Sequence, residues 1–320
     1  MPCYKPLIAY RLDGQITFNK PFVYAKGFNL PCGRCTGCRI EHSRQWATRL
    51  MHEQQMHEQS CFITLTFNQH SLEKRKNPYT VDRTEFQKFM KRLRKKTGKK
   101  LSYFHCGEYG DLNKRPHYHA IIYGHDFSDK EQIGNSNGIP LYVSSQLEDL
   151  WSDPKTKESL GFHRIGKVSF ESAAYVARYC MKKWKGEGLE EHYQIIDDDG
   201  VIHDRHPEYA TMSTKPAIGK RWYEKYGWTD CHANDYVTIP RKDGKRIIAR
   251  PPRAYDKWFC QCPAEQETKC KCRLSELKKK RILAQNAPIQ DNHPDTAEMQ
   301  ELWRLMEVKS HKLGRLIRNL

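Results

Sequence analysis

The sequence predicts an α+β fold, with a central antiparallel sheet backed by helices. Short β-branched and aromatic runs alternate along the chain with amphipathic helical segments. Two of these runs, at 100–110 and 117–124, are joined by the turn-rich stretch DLNKRP, which is typical of an antiparallel hairpin. Repeating strand–helix–strand units are not evident, so a parallel sheet is not expected.

The composition indicates a polar, basic protein. Hydrophobic residues make up 38% of the 320 positions, but aromatic residues make up 11% and can build a core. Lysine and arginine number 55 against 38 acids, a formal net charge of +17. This excess favours a polyanionic partner such as nucleic acid. The alternative is a basic protein whose charge only aids solubility.

The first ten residues, MPCYKPLIAY, predict no secretion signal. Pro2, Cys3 and Lys5 stand where a signal peptide has its apolar core. No run approaches the roughly 20 apolar residues that span a bilayer. We therefore expect a cytoplasmic protein without a membrane partner. In that reducing compartment, 12 cysteines favour metal binding over disulfides.

The pattern divides the chain into four segments. A cysteine-rich zinc element and helix occupy 1–60, a sheet-and-helix core 61–190, a polar accessory region 191–272 and C-terminal helices 273–320. The predicted helices are 39–58, 82–98, 144–151 and 171–185, and the predicted strands are 61–67, 100–110, 117–124 and 162–170.

The second helix carries the clearest end signals. Asp82 is a candidate N-cap, Glu85 stands three residues later as in a capping box, and Gly98 is expected to end the helix. Its predicted apolar stripe is Phe86, Phe89, Met90 and Leu93.

The accessory region gives weaker signals. IIDDDGVIHD predicts a hairpin around Asp199 and Gly200. STKPAIGKRWYEKYG mixes basic and aromatic residues, so it fits either a contact with a nucleic-acid backbone or a solvated surface segment. At the C-terminus, a helical stripe predicts packing against the core or another copy, with Met299, Leu302, Met306, Leu313, Ile317 and Leu320 on one face.

The stretch RPHYHA holds a candidate catalytic metal site. On a strand, His117 and His119 project to the same face and Tyr118 to the opposite one. Glu108 ends the preceding strand, and a hairpin would fold it back beside the histidines. Two nitrogens and one oxygen would leave coordination positions open, as catalytic metal sites require. The alternative is a polar hairpin whose histidines serve only packing or hydrogen bonds.

A second candidate element lies in YVARYCMKK. Tyr175 and Tyr179 are four residues apart and share one face of a helix, with Lys182 and Lys183 about a turn later. A tyrosine hydroxyl can attack a DNA phosphodiester and hold the 5′-phosphate as a covalent ester, with a metal and a lysine offsetting charge. Two tyrosines would allow one to hold a strand while the other attacks. The alternative is ordinary amphipathic packing.

The cysteines predict a structural metal site. Cys32, Cys35 and Cys38 form C-x2-C-x2-C, and Cys3 is the best candidate for a fourth thiolate, with His42 and Cys61 as alternatives. Four thiolates leave no open position, so structural Zn²⁺ is expected and an iron–sulfur cluster is the other occupant considered.

The remaining cysteines divide into two groups. A second candidate zinc site has the unusual spacing C-x-C-x7-C-x-C, and scattered reduced thiols are its alternative; its residues are Cys260, Cys262, Cys270 and Cys272. Small buried roles are expected for Cys106, Cys180 and Cys231.

These motifs, in this order, resemble the HUH endonucleases that initiate rolling-circle replication, and most of all the replication initiation proteins of the gokushovirus type of microvirus. The stretches that carry the resemblance run from residue 1 to about 220: PCGRCTGCR, HSRQWATR, CFITLTF, FMKRLRKK, CGEYGD with RPHYHA, AAYVARYCMKK and MSTKPAIGK.

The resemblance implies a site and an activity. His117 and His119 match the paired metal histidines, Tyr175 and Tyr179 the tandem nucleophiles, and Glu108 the position of a carboxylate ligand. The resemblance does not select between the two lysines, but Lys182 is favoured because it lies three residues after Tyr179 and seven after Tyr175, close to one helical face with both. The resemblance also implies an HUH-endonuclease-like central antiparallel sheet and a Mg²⁺ or Mn²⁺ cofactor.

The expected activity is nicking of single-stranded or melted viral origin DNA through a 5′-phosphotyrosine link, with rejoining at termination. The expected setting is the cytoplasm of the bacterial host, where a host helicase and polymerase would follow. Two other functions stay open: a transposase or relaxase of the same chemistry, and a non-enzymatic zinc-containing DNA-binding protein.

Overall fold

A computed structural model of the 320-residue chain describes residues 3–13, 15–110, 113–136, 139–179, 189–197, 199–240, 244–259 and 273–281. The predicted second cysteine site at 260–272, the apolar stripe at 299–320, Cys180 and the two lysines at 182 and 183 lie outside these residues.

The described elements number 14 strands and nine helices, together with a π-helical turn, Gly227–His232. The strands are β1 (Leu7–Leu12), β2 (Gln15–Thr17), β3 (Phe28–Leu30), β4 (Ser60–Phe67), β5 (Ser102–Tyr109), β6 (Pro116–Tyr123), β7 (Glu131–Ser136), β8 (Ile139–Val143), β9 (Gly161–Gly166), β10 (Gln194–Ile196), β11 (Ile202–Asp204), β12 (Tyr209–Met212), β13 (Val237–Pro240) and β14 (Arg246–Ala249). The helices are α1 (Thr36–Gln54), α2 (Gln69–Glu73), α3 (Arg83–Thr97), α4 (Ser145–Leu150), α5 (Phe170–Tyr179), α6 (Leu189–His192), α7 (Lys220–Tyr226), α8 (Arg253–Phe259) and α9 (273–281). Among the described residues, no helix combines the length and the apolar character needed to cross a bilayer.

The chain forms two compact units. The smaller unit comprises Met1–Gln45, His232–Asp235 and Pro251–Leu320, as far as these ranges are described. The larger unit comprises Trp46–Cys231 and Tyr236–Arg250. The four segments expected from the sequence divide the chain differently, and they stay a prediction.

A seven-stranded antiparallel sheet organises the larger unit, in the order β12-β5-β6-β4-β9-β8-β7. The predicted class, α+β with an antiparallel sheet backed by helices, is therefore confirmed. The predicted hairpin is β5–β6, and the predicted strand at 61–67 is β4, in the middle of the sheet. The edge strand β12 comes from the region expected to be a polar accessory segment.

The period of two along β4 sorts side chains between the two sheet faces. Cys61, Ile63, Leu65 and Phe67 are buried on one face, while the residues between them are half-buried on the other. The first face packs against α3, whose stripe of Phe86, Phe89, Met90 and Leu93 is buried as predicted.

Helix α3 has both the predicted N-cap and the predicted end, but its capping box is not formed. Asp82 caps it by accepting a hydrogen bond from the Thr84 amide, and Gly98 ends it in the left-handed conformation with φ 64°. The capping box is not closed, because the Asp82 amide donates to the Tyr118 hydroxyl. The Glu85 carboxylate instead accepts from that hydroxyl and from Arg75. A tertiary contact thus replaces the local one.

The second sheet face packs against α1 and α5. The Tyr123 hydroxyl donates to the Leu50 carbonyl at 3.0 Å, and Trp46 packs on Phe104 at 5.1 Å between ring centroids. Helix α5 starts where Ser169 and Ser172 cap each other's amides. This cap explains why the strand predicted over 162–170 already ends at Gly166.

The segment STKPAIGK packs against α1. Glu53 of α1 is 1% exposed and accepts hydrogen bonds from the Gly219 amide and from Arg221, each at 2.7 Å. Burial raises the pKa of Glu53, but hydrogen bonds from His57 and Gly219 outweigh it and hold the pKa below its ordinary value. Ile218 is also buried, so this segment is neither wholly solvated nor wholly available for DNA.

Candidate active site

The three central strands bring the predicted metal ligands to one face of the sheet. Glu108 of β5 lies opposite His117 of β6, and Thr66 of β4 lies on the other side of His117. One step along, the same arrangement places His119 opposite Thr64. Tyr118 points to the other face and is fully buried. The two histidines and Tyr118 therefore lie on opposite faces of the sheet, as the sequence predicts.

His119 is held at both ring nitrogens. Its Nε2 contacts Oε1 of Glu108 at 2.7 Å, and its Nδ1 contacts the Thr64 hydroxyl at 2.9 Å. Glu108 is 3% exposed and His119 is 4% exposed. A hydroxyl can donate or accept, so Thr64 can hold this ring whether Nε2 carries a proton or binds a cation.

The Nε2 atom of neutral His117 carries a lone pair that can bind a metal ion. Its Nδ1–H donates to the Pro116 carbonyl at 2.9 Å, which fixes the tautomer. Burial lowers the pKa of His117, so the neutral ring that metal binding requires predominates near pH 7. A Cβ at position 110 would lie 3.0 Å from this Nε2, so Gly110 allows the chain to pass close to the ring.

One carboxylate and two imidazoles are chemically suitable ligands for a divalent cation. Carboxylate oxygens suit both Mg²⁺ and Mn²⁺, whereas imidazole nitrogens favour Mn²⁺. Glu108 and His119 are in contact. Among the described residues, however, only one group brings the ligand atoms of three or more His, Cys, Asp or Glu side chains within 4.8 Å of one another, and it consists of four cysteines. The predicted triad of Glu108, His117 and His119 therefore stays a prediction.

Tyr175 lies beside His119. The two rings meet edge to face at 5.4 Å between centroids, and Phe62 contacts Tyr175 in the same way at 6.4 Å. Tyr179 is the last residue of α5, one helical turn further on. The side chain of Tyr179, together with Lys182 and Lys183, lies outside the described residues. Of the two predicted nucleophiles, the structure thus places Tyr175 in contact with His119.

Sequence reasoning missed two features of this face. Thr64 orients His119, which follows only from the pairing of β4 with β6. On β9, Phe162 lies opposite Thr66 and Arg164 opposite Thr64. Phe162 is 58% exposed and Arg164 is exposed too. The signal available in the sequence was the alternation of the predicted strand, which puts Phe162 and Arg164 on the same face.

Replacing Thr64 with valine is expected to weaken Mn²⁺ binding by about 10- to 100-fold, because outer hydrogen-bond partners of metal ligands have effects of this size. The measurement is the dissociation constant of Mn²⁺, obtained by titration calorimetry. Thr66→Val is the matched control, since Thr66 lies on the same strand and face but opposite His117. Thr64→Ser should restore binding, and equal effects of the two valines would contradict the role of Thr64.

A separate candidate metal centre lies in the smaller unit. Cys3 Sγ is 3.5 Å from Cys32 Sγ and 3.7 Å from Cys35 Sγ, and with Cys38 all four sulfurs lie within 4.8 Å of one another. Tetrahedral zinc with bonds of about 2.3 Å places sulfurs about 3.8 Å apart, whereas a disulfide needs about 2.05 Å. This cluster could therefore hold a metal ion.

Backbone amides support the same conclusion. The Tyr4 amide donates to Cys35 Sγ, the Cys32 amide to Cys3 Sγ and the Cys35 amide to Cys32 Sγ, each at 3.3 Å. Burial raises the pKa of Cys3 and brings that of Cys38 to about 11, whereas hydrogen bonds led by the Cys38 and Tyr4 amides outweigh burial at Cys35 and lower its pKa to about 7, so Cys35 is the member that most readily forms a thiolate. The alternative ligand Cys61 is instead buried in β4, and the structure favours Cys3.

Comparison with known proteins identifies the family. Residues 60–184 match the family model of the replication-associated protein ORF2/G2P. The chain is 32% identical over 293 residues to the replication-associated protein VP4 of Bdellovibrio phage phiMH2K, covering 87% of this chain and 84% of that protein. No solved structure matches the chain.

Two further relatives match shorter stretches. The replication-associated protein ORF2 of Spiroplasma virus 4 is 31% identical over 206 residues, 57% of this chain and 61% of that one. ORF4 of Chlamydia phage 1, also a replication-associated protein, is 30% identical over 166 residues, 49% of this chain and 39% of that one. With a relative matched over most of both chains, the chain belongs to the replication-associated proteins of the microviruses.

Proposed function

We propose that this viral replication protein starts rolling-circle replication by nicking single-stranded or melted origin DNA. The phenol oxygen of Tyr175 or Tyr179 bonds to phosphorus while the bond to the 3′-oxygen breaks. The phenol proton leaves to solvent or a base, and the 3′-oxygen takes up a proton. The observation that carries this proposal is the contact of Tyr175 with His119, which also contacts the buried Glu108.

The chemistry needs help that these side chains can give. A phenol has an ordinary pKa near 10 and is a weak nucleophile at neutral pH. Glu108, His117 and His119 are the residues that would hold Mg²⁺ or Mn²⁺, which when bound supplies Lewis-acid polarisation of the scissile phosphate. Glu108 and His119 fix each other in a nearly buried setting, where a charge interaction is stronger than in water.

Termination would use the same groups in reverse. The phosphotyrosine retains the energy of the broken bond, so a free 3′-OH can attack phosphorus and release the phenol. The second tyrosine would make a new cut while the first holds its strand. Lys182, and with it Lys183, would offset charge on the phosphate or the phenolate.

The substrate strand would extend across the sheet toward β9. Phe162 offers an exposed ring on which a base can stack, and Arg164 an exposed guanidinium for a phosphate. The net charge of +17 supports a nucleic-acid partner in general. We place the reaction in the cytoplasm of the bacterial host, where a host helicase and polymerase would extend the 3′ end.

The proposal is tested by trapping the covalent link. The protein is incubated with Mn²⁺ and 3′-labelled single strands of its own viral genome, because a 5′-phosphotyrosine retains the downstream fragment. We expect labelled protein on a denaturing gel, and none from the Tyr175→Phe, Tyr179→Phe double variant. Tyr236→Phe is the control at an exposed tyrosine of the same unit. Mass spectrometry of the labelled peptide identifies the nucleophile.

The outcome separates the open functions. An adduct that survives in the double variant would refute the assignment of the tyrosines. DNA binding without any adduct, together with full function of a His117→Ala variant, would favour a non-enzymatic zinc-containing DNA-binding protein. Cleavage of transposon ends or plasmid transfer origins in preference to the viral genome would indicate a transposase or a relaxase.

A further inference from the structure

The smaller unit displays an unusual set of exposed aromatic side chains. Its three-stranded sheet has the order β2-β1-β3, and residues 18–26, here called the aromatic–basic arm, lie between β2 and β3. Within the arm, Phe18 is 57% exposed, Phe22 58% and Tyr24 89%. Large aromatic side chains are seldom this exposed, and a contiguous group of them marks an interaction surface.

Positive charge alternates with these rings. Lys20 and Lys26 are exposed within the arm. From residue 14 to residue 40 the sequence contains four basic residues and no aspartate or glutamate. All charged side chains in and next to the arm in sequence are therefore positive. This charge disfavours a basic protein partner and suits a polyanion.

Both ends of the arm are anchored. β2, which precedes the arm, pairs with β1 (Thr17 opposite Tyr10), and β3, which follows it, pairs with β1 as well (Leu30 opposite Leu7). Cys3 and Cys32 of the cysteine cluster lie just outside β1 and β3. A turn inside the arm is closed by the Ala25 amide donating to the Phe22 carbonyl at 3.0 Å. An anchored loop loses little conformational entropy on binding, so its rings are prepared for a ligand.

The occupant must offer both phosphates and flat rings. In a duplex the bases are stacked on one another inside, whereas single-stranded DNA exposes its bases to protein rings and its phosphates to lysines. We propose that the aromatic–basic arm is a second binding site for single-stranded DNA, without sequence preference and independent of the nicking chemistry. It would hold DNA through Phe22 and Tyr24 by stacking and through Lys20 and Lys26 by charge.

Binding is measured with the full chain and a fluorescent oligothymidylate of about 20 nucleotides, long enough for sites of the usual size. All variants carry Tyr175→Phe and Tyr179→Phe, so covalent capture does not contribute. We expect Phe22→Ala with Tyr24→Ala to weaken binding by at least about 25-fold, since each lost base stack contributes a factor of about 5 to 150 and the two factors multiply. Trp228→Ala is the matched control, because Trp228 is an aromatic residue with 57% exposure outside the arm.

The lysines are tested through salt. For single strands, each neutralised phosphate contributes about 0.7 to the slope of log affinity against log salt. Lys20→Ala with Lys26→Ala should therefore reduce that slope by about 1.4. Tyr24→Phe should retain affinity, since the ring is kept. Unchanged zinc content and circular dichroism show that each variant is folded.

Two outcomes would overturn the proposal. One is the same affinity and the same salt slope in the arm variants and in Trp228→Ala. The other is a dimer, seen by sedimentation, that dissociates in the Phe22→Ala, Tyr24→Ala variant while DNA affinity is unchanged, which would make the arm a self-association surface. Because binding is read without nicking, failure of the covalent-adduct experiment would leave this inference standing.

Discussion

Under the proposed mechanism, His119→Ala is expected to lower metal-dependent nicking by at least about a thousandfold. Loss of one ligand removes several kcal/mol of transition-state stabilisation, and each 1.36 kcal/mol is a factor of ten in rate. His119 is also the neighbour of Glu108, and both side chains are nearly inaccessible to solvent. Truncating it removes a partner of the buried Glu108 carboxylate, so the thermal stability of the protein should fall as well.

The two effects are separated by His117→Ala. His117 lies opposite Glu108, but its Nδ1–H donates to the Pro116 carbonyl. We therefore expect His117→Ala to lose nicking with a much smaller loss of thermal stability than His119→Ala. Glu108→Gln, which keeps the shape but not the charge, should also lose nicking. His70→Ala, at an exposed histidine on α2, is the control. Nicking by a folded His119→Ala variant would exclude His119 as a ligand.

Local patterns predicted the parts of the fold that local physics decides. The β-branched and aromatic run at 61–67 indicated a buried strand, and the stripe from Phe86 to Leu93 indicated the packed face of α3. The capping box suggested by Glu85 is not formed, because the Glu85 side chain instead contacts Tyr118, which is 33 residues away in sequence. Propensity rules consider neighbours in sequence, so they cannot anticipate such a contact.

In the candidate site, too, local patterns predicted the placement of residues on the sheet but not their tertiary contacts. Period two and a hairpin sufficed to bring Glu108, His117 and His119 to one face. The pairing in register is Glu108 with His117, yet the carboxylate reaches the diagonal neighbour His119. Diagonal neighbours on a sheet are within reach of long side chains, so register alone does not select the contact. Thr64 depends on a strand pairing that joins residues 55 apart in sequence.

Loss of one cluster cysteine is expected to have the largest effect on stability. Structural zinc in small domains contributes folding free energy of the order of 10 kcal/mol, because the metal site exists only in the folded state. We expect Cys35→Ser to purify with one equivalent less zinc and to lose the cooperative melting of the smaller unit. Chelation of the unmodified protein should have the same effect. Metal content and thermal melting followed by circular dichroism are the measurements.

The alternatives from the sequence supply the controls. Cys61→Ala and His42→Ala should keep the zinc, because Cys3 completes the cluster with Cys32, Cys35 and Cys38. A Cys3→Ser variant should lose it, and loss in Cys61→Ala instead would contradict this ligand set. Serines at positions 260, 262, 270 and 272 test the second candidate site, since a further missing equivalent would show that those cysteines bind metal as well. Iron in place of zinc, with a coloured protein, would indicate an iron–sulfur cluster.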